Sequence, residues 1–205
     1  MLDQRIWRKL SRGPQVILLK DAALMSAFTG LQSGDKVVDS GAGSGWLAVY
    51  LGSIVAPNGK VFSYEWREDF AALAEKNAKK AGLEGRIEVK RKDVFAGIDE
   101  SEVDLVTLDL AESEKALVPA FGALRAGGWC VGYHPNVEQA KAFVETGTGL
   151  GFEYFQTVEC MVRELLVRKQ GCRPQTKGIM HTGYLTFLRK PAGHASPGGT
   201  PVGNG

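Results

Sequence analysis

Residues Asp39–Trp46 read DSGAGSGW, and this glycine-rich stretch decides the fold class. It ends a short apolar run, Lys36–Ser40, that is typical of a buried strand, and it precedes Leu47–Val55, whose composition favours a helix. Glycines let the main chain turn sharply between two such elements and let a ligand approach the backbone. The first turn of a helix also offers unpaired N–H groups to a polar ligand. We therefore predict a strand–turn–helix ligand site here.

Strand-like and helix-like segments alternate along the rest of the chain. The predicted strands are Lys60–Glu65, Arg86–Lys90, Val103–Leu110, Gly128–Tyr133, Phe152–Val158 and Tyr184–Arg189, and the predicted helices are Asp21–Thr29, Glu68–Ala81, Ser113–Leu124 and Val137–Glu145. Such alternation produces a parallel sheet with helices on both faces. We therefore predict a doubly wound α/β fold with a mostly parallel, seven-stranded sheet. No full helix separates the last two strands, which predicts a C-terminal antiparallel hairpin.

Length and composition are those of an ordinary globular protein. The chain has 205 residues, of which 44% are apolar and 23% charged, and this fits one α/β domain. We expect residues 1–34 to form a basic segment and a helix leading into the fold, residues 35–190 to form the domain, and residues 191–205 to be a disordered tail. No apolar run is long enough to span a membrane, and Met1–Lys9 lacks the apolar core of a secretory signal.

Cysteine and charge patterns limit the choice of compartment and partners. Cys130, Cys160 and Cys172 form an odd set without a CxxC pair, which predicts a reduced, cytoplasmic protein, although a Cys160–Cys172 bridge stays open. The net charge of +2 neither demands nor excludes a nucleic-acid partner. Basic residues do cluster in three places, at Arg5–Arg12, Lys79–Lys92 and Arg163–Lys177. The three histidines, His134, His181 and His194, lack metal-ligand spacing, so we expect no metal site.

Acidic residues follow the predicted strands and indicate the class of ligand. We call Gly41–Gly45 the glycine turn. Glu65 lies about 20 residues beyond it, where a ribose diol is bound in nucleotide-binding folds. A dinucleotide fingerprint would need a third glycine where this chain has Trp46. The glycine pattern is instead the one seen in S-adenosylmethionine (SAM) methyltransferases. Asp93 follows the third strand and Asp109 ends the fourth, so these carboxylates should converge with Glu65 on one crevice.

A series of segments carries a more specific resemblance. In chain order these are Arg12–Asp21 (RGPQVILLKD), Gly41–Gly45 (GAGSG), Tyr64–Glu65, Arg67–Phe70 (REDF), Lys92–Asp93, Leu108–Leu110 (LDL) and His181–Phe187 (HTGYLTF). Together they resemble the archaeal and bacterial tRNA (adenine-N1)-methyltransferases, which modify adenosine in the T-loop, over about Arg12–Lys190. The resemblance implies a homotetramer that uses SAM, binds tRNA and flips the target base.

The resemblance also implies roles for individual residues. Gln15 and Ile17 would lie over the methionine end of SAM, and Glu65 would bind its ribose. The glycine turn and the two residues after it would bind SAM through main-chain atoms of Gly41, Gly43, Ser44, Gly45, Trp46 and Leu47, and Asp93 and Val94 would frame the adenine. Asp109 would lie between the cofactor and the substrate adenine, as the catalytic carboxylate. The candidates on the substrate side are Tyr133, His134 and Tyr184, which could stack on a flipped base, together with Arg173 and His181.

Three departures from the family pattern concern the substrate side. The family usually has a small β-rich N-terminal domain, and here only about a dozen residues precede Arg12. Leu18 and Leu19 replace a common polar pair, and Ala111 replaces a proline. Two alternatives therefore stay open. One is a SAM-dependent methyltransferase acting on a corrin-type small molecule or a protein, and the other is a non-catalytic RNA-binding partner subunit, which should have lost the glycines or the acidic residues kept here.

Overall fold

The computed structural model describes residues 4–13, 15–176, 178 and 181–193. From residue 194 onward, the predicted tail lies outside the described residues. The strands are β1 (Lys36–Ser40), β2 (Lys60–Tyr64), β3 (Ile87–Lys90), β4 (Val103–Leu108), β5 (Leu124–His134), β6 (Glu153–Glu159), β7 (Leu165–Arg168), β8 (Gly171–Pro174) and β9 (Tyr184–Arg189). The α-helices are α1 (Gln4–Trp7), α2 (Leu19–Thr29), α3 (Trp46–Val55), α4 (Glu68–Lys80), α5 (Leu117–Ala123) and α6 (Val137–Gly149).

Seven strands form one sheet in the order β3-β2-β1-β4-β5-β9-β6. The first five strands pair in parallel, whereas β9 lies antiparallel to both β5 and β6. The predicted doubly wound α/β fold with a mostly parallel sheet and an antiparallel end is thus confirmed. A separate antiparallel hairpin, β7–β8, lies in a stretch where the sequence predicted no element.

One predicted helix is divided and shortened in the structure. Residues Ser113–Ala116 form a 3-10 turn, α5 begins at Leu117, and the chain enters β5 at Leu124, four residues earlier than predicted. Pro119 lies in the first turn of α5, where the missing N–H costs no helical hydrogen bond. Gly127 and Gly128, which follow the predicted helix, lie inside β5, where its pairing with β4 shifts register and Gly127 has a φ of 75°.

Two apolar clusters pack the helices against the sheet. Met25, Val49 and Leu51 belong to the cluster that joins α2 and α3 to the strands, while Leu117 and Phe143 belong to the cluster under α5 and α6. The carboxyl ends of β1, β2 and β4 are left free of these helices at one edge, where an open α/β sheet binds its ligands. In the part of the chain that the structure describes, no helix is long and apolar enough to cross a membrane.

Candidate active site

The glycine turn lies against the end of β4 at very short range. The main-chain N–H of Asp109 donates to the carbonyl of Ser40, and those of Gly41 and Ala42 donate to the carbonyl of Tyr64. Gly41 has a φ of 84°, and a Cβ there would lie 2.1 Å from the carbonyl oxygen of Asp109. Only glycine fits this position, so the turn presents bare backbone to the space beside it.

A first cavity of about 380 Å³ opens at the carboxyl ends of β1, β2 and β4. Seven of the residues predicted to bind the cofactor line it: Gln15, Gly41, Gly43, Glu65, Asp93, Val94 and Asp109. The first cavity therefore brings together main-chain groups, acidic side chains and an apolar wall from five separate stretches of chain.

Glu65 is the most constrained of these side chains. Its Oε1 accepts hydrogen bonds from the main-chain N–H of Arg67 at 3.0 Å and from Arg67 Nε at 3.1 Å, and its Oε2 accepts from the N–H of Gly43 at 3.0 Å. The carboxylate is almost fully buried, yet Oε2 keeps a second lone pair for a ligand. Glu65 thus joins the glycine turn to β2 and holds an acceptor in the first cavity.

A second cavity of about 440 Å³ adjoins the first. Ile17, Tyr133 and Thr182 lie in its wall, and four residues line both cavities: Gln15, Asp109, Leu110 and Ala111. Asp109 therefore borders both cavities. This shared wall is the feature that makes the two cavities one candidate site.

Two carboxyl groups at this edge of the sheet have raised pKa values. Burial raises the pKa of Asp109 to about 7, and the negative charge of Asp39 adds to the rise. Burial also raises the pKa of Asp39, although its carboxylate accepts hydrogen bonds from Ser63 Oγ at 2.7 Å and Thr107 Oγ1 at 2.9 Å. These hydroxyls come from the residues that pair with Asp39 in β2 and β4. Asp109 can therefore exchange a proton near neutral pH.

The other predicted cofactor-binding residues, in the glycine turn and directly after it, present no side chain to the cavities. The side chains of Ser44 and Leu47 are buried, and Gly45 packs on α4, where a Cβ would lie 2.9 Å from Ala74. The indole of Trp46 turns away from both cavities, donates to the carbonyl of Ser11 at 3.1 Å and packs on Trp7. None of these side chains lines a described cavity.

Of the predicted substrate residues, the structure brings only Tyr133 to the second cavity. Its hydroxyl donates to the carbonyl of Thr182 at 2.6 Å, and burial raises its pKa to about 12. His134 is fully buried and packs on Phe143 in the core, and burial lowers its pKa to about 4. The prediction that His134 stacks on a substrate is therefore wrong, because its ring has no accessible face.

The remaining three substrate candidates lie away from both cavity walls. Arg173 is exposed on β8, and His181 packs on Tyr184 at a ring distance of 5.0 Å. His181 contacts the carboxylate of Glu159 and the carbonyl of Pro135, and the Glu159 contact raises its pKa. It therefore braces the chain next to the second cavity without facing it.

A buried polar network that the sequence did not reveal supports the second cavity. Asp21 is fully buried and accepts hydrogen bonds from Lys20 Nζ at 2.7 Å and Thr182 Oγ1 at 2.8 Å. Lys20 Nζ also donates to the carbonyl of Cys160. Thr182 is the residue whose carbonyl holds Tyr133, so the start of α2 and the start of β9 fix the cavity wall together. Asp21 and Thr182 lie in two of the segments that carry the family resemblance, and only their contact in the folded chain reveals the network.

Two residues in the lining of the first cavity were not predicted from the sequence. Trp66, which is 70% exposed, and Phe95 lie next to predicted residues Glu65 and Val94 and line the cavity. Their position directly after those residues was the available signal. Among the described residues, no group of histidine, cysteine or acidic side chains could hold a metal ion.

Comparison with known proteins agrees with this geometry. The family model for the tRNA methyltransferase complex GCD14 subunit matches residues 5–176. The chain is 34% identical to the tRNA (adenine(57)-N(1)/adenine(58)-N(1))-methyltransferase TrmI of Methanocaldococcus jannaschii, over 91% of this chain and 75% of that protein. It is 33% identical to the tRNA (adenine(58)-N(1))-methyltransferase TrmI of Thermus thermophilus, over 83% of this chain and 68% of that protein.

Two solved structures have the same architecture. A SAM-dependent O-methyltransferase from Thermotoga maritima superposes with a TM-score of 0.86 and 30% identity, covering 93% of this chain and 71% of that one. The tRNA (m1A58) methyltransferase TrmI from Aquifex aeolicus superposes with a TM-score of 0.82 and 25% identity, covering 93% of this chain and 76% of that one. From the extent of the family match and the identity to these relatives, the chain belongs to the GCD14 tRNA methyltransferase family.

Proposed function

We propose that this protein is a SAM-dependent methyltransferase that transfers a methyl group to N1 of adenosine in tRNA. The observation that carries the proposal is the position of Asp109 in the wall shared by the two cavities. One cavity has the acceptors and bare backbone suited to a nucleoside-like cofactor, and the other has room for a base. Family membership and the activities named for its relatives support the same assignment.

The residues present fit SAM in the first cavity. SAM carries no phosphate, and the two cations in the lining, Arg67 and Lys92, are each paired with a carboxylate. The cavity therefore offers a ligand main-chain groups and carboxylates. The free lone pair of Glu65 suits a ribose hydroxyl, and Asp93 and Val94 suit the adenine. Asp93 is held in place because its side chain accepts the N–H of Phe95 at 2.9 Å. Gln15 and the glycine turn would hold the amino-acid end. When bound, SAM supplies an activated methyl group.

Asp109 acts on the target base in this proposal. A carboxylate in the shared wall can accept a hydrogen bond from the exocyclic amine of adenine and thereby increase the electron density at N1. It can also accept the proton that the base loses after transfer, because burial places its pKa at about 7. The rest of the barrier is reduced by holding N1 in line with the methyl group.

The second cavity would receive the base after it leaves the RNA stack. N1 faces its pairing partner in folded RNA, so the base must flip out to react. The fixed ring of Tyr133 and the apolar side chains of Leu18 and Leu110 line this cavity. They provide the apolar part of the wall, on which a planar heterocycle could pack.

The two faces of the β7–β8 hairpin would contact the two partners in this proposal, tRNA and other copies of this chain. Strand pairing places Leu165, Val167, Cys172 and Pro174 on one face, and places Leu166, Arg168 and Arg173 on the other. We assign the arginines to the tRNA backbone and the exposed apolar face to self-assembly, as in the tetramer that the resemblance implies.

Three free thiols fit a reduced, cytoplasmic setting. We keep residues 35–190 as the catalytic domain and residues 1–34 as its entry segment.

Incubation with labelled SAM and unmodified tRNA, followed by nucleoside analysis, tests the proposal. We expect 1-methyladenosine, and we expect tRNA binding to weaken as salt rises, because phosphate contacts release counterions. If the label is found in a different modified nucleoside of the tRNA, the enzyme methylates a position other than N1 of adenosine. Binding of SAM without transfer to any tRNA would favour a small-molecule or protein substrate. Failure to bind SAM would leave only the partner-subunit alternative.

A further inference from the structure

Asn77 is a polar side chain inside the buried face of α4. Its neighbours on that face are Ala71, Ala74 and Ala78, and like them it is fully buried. Asparagine is a poor residue for a helix interior, because its side chain competes for backbone hydrogen bonds. A position that faces alanines and the core would ordinarily favour another small apolar residue. The hydrogen bonds of the Asn77 side-chain amide explain why asparagine occupies this position.

The amide of Asn77 binds two separate stretches of main chain. Its Oδ1 accepts the N–H of Ser11 at 2.9 Å, and its Nδ2 donates to the carbonyl of Ser11 at 2.7 Å and to the carbonyl of Ser44 at 2.8 Å. The side-chain amide thus pairs with the main-chain N–H and the main-chain carbonyl of Ser11, as the backbone of a neighbouring strand would. It holds Ser11 to Ser44, which lies in the glycine turn.

Ser11 belongs to a segment that we call the strap, residues 9–13 and 15–17, which crosses over the glycine turn. A Cβ added to Gly13 would lie 3.3 Å from the Cβ of Ser44, so the strap lies directly on the turn. Lys80 Nζ donates to the carbonyl of Lys9 at 3.1 Å and to Ser11 Oγ at 2.8 Å. Every one of these contacts is upstream of Gln15 and Ile17, the strap residues on which the argument depends.

The strap ends at the walls of the two cavities. Gln15 lines both cavities, and Ile17 lines the second. The direction of this short segment depends on where its upstream part is held. A shift of Ser11 relative to Ser44 would therefore move Gln15 relative to the glycine turn, which is the other wall of the first cavity.

We propose that Asn77 is a positioning residue that locks the strap to the glycine turn and so sets the affinity for SAM. The inference rests on the proposed function for the identity of the ligand. Both hydrogen-bonding ends of the amide are used, so neither an apolar residue nor a carboxylate can replace it. A carboxylate has no donor for the carbonyls of Ser11 and Ser44.

The test compares Asn77→Asp with the parent full-length protein. Amide hydrogen exchange reports the strap without any ligand, and calorimetry reports the affinity for SAM. Asn77→Ala is the second variant, because it adds no buried charge and favours the helix. Thr186→Val is the matched control: Thr186 is fully buried, and its hydroxyl bonds to Thr157 at 3.1 Å between β6 and β9, remote in the sheet from β1.

We expect Asn77→Ala to exchange the Ser11 amide at least about tenfold faster, because it removes the acceptor of that N–H, and we expect both Asn77 variants to bind SAM at least about tenfold more weakly, the scale of one buried hydrogen bond. Thr186→Val should leave the strap and the affinity unchanged. Unchanged exchange of the Ser11 amide in folded Asn77→Ala overturns the inference, and so does a loosened strap with parent-like affinity. If the parent does not bind SAM, the proposed function is refuted, while the exchange result still decides whether Asn77 holds the strap.

Discussion

Replacing Asp109 by asparagine removes a carboxyl group that the fold keeps largely out of water. Burial raises its pKa from the ordinary value of 3.8 to about 7, and Asp39 adds to the rise. The folded protein therefore holds this proton more tightly than the unfolded chain does. Above pH 4 the unfolded carboxyl ionises first, so the parent loses stability as the pH rises toward 7, and the loss is constant above that.

The size of this loss follows from the shift of about three pKa units, at about 1.4 kcal/mol per unit. Because the carboxyl still borders an open cavity, we discount the product to about 2–4 kcal/mol. Asparagine is neutral at every pH and has nearly the same shape. Asp109→Asn should therefore unfold like the parent near pH 4 and be more stable by about 2–4 kcal/mol at pH 8, as denaturant titrations at the two pH values would show.

The same variant should lose activity while it gains stability. We expect single-turnover methyl transfer to fall by about 10²–10⁴-fold, the usual scale for a positioned acid–base group. The rate of the parent should rise with pH through about 7, and the residual rate of the variant should not. Parent-like turnover would remove Asp109 from the mechanism. An equal stability difference at pH 4 and pH 8 would show that the carboxyl is not desolvated, and the assignment of its raised pKa would fall.

Three further predictions address other parts of the site. Glu65→Gln should weaken SAM binding by about 1.5–3 kcal/mol in calorimetry, since a charged acceptor is lost, and unchanged affinity would remove the ribose assignment. Gly41→Ala should destabilise the protein more than Gly30→Ala does: both have positive φ, but only at Gly41 would a Cβ meet Asp109, and equal costs in denaturant unfolding would contradict the close contact. Alkylation should label exposed Cys172 rapidly and Cys130 only after unfolding, because Cys130 is buried and its pKa is raised; early labelling of Cys130 in mass spectrometry would count against the core packing.

The sequence predicted those parts of the fold and site that depend on local pattern. The glycine turn and the acidic residues Glu65, Asp93 and Asp109 each follow a strand, and strands of one parallel sheet end at the same edge. Their meeting in one cavity follows from chain order alone. The helix predicted at Ser113–Leu124 was only partly right, because the glycines after it form a bulge within a strand rather than a stop.

Other features depend on contacts between distant residues, and no local pattern indicates them. His134 and Tyr133 are neighbours in β5, but alternation along the strand places Tyr133 at the cavity and His134 in the core against α6. The role of Asn77 depends on Ser11, 66 residues away. Asn77 lies on the buried face of α4, and helical spacing alone indicates no partner for its side chain. In both cases the tertiary structure decides which of two reasonable interpretations applies.

Burial is the main cause of the raised pKa of Asp109, and the register of the sheet explains the smaller contribution of Asp39. Asp39 is opposite Ser63 in β2 and Thr107 in β4, and both hydroxyls bond to its carboxylate. These hydrogen bonds make a buried acidic group tolerable two residues before the glycine turn. A one-residue slip of β1 would turn Asp39 to the opposite face and leave both hydroxyls without it. The charge that helps raise the pKa of Asp109 is therefore maintained by strand pairing, so a variant such as Thr107→Val should alter the pH profile of transfer without touching either cavity.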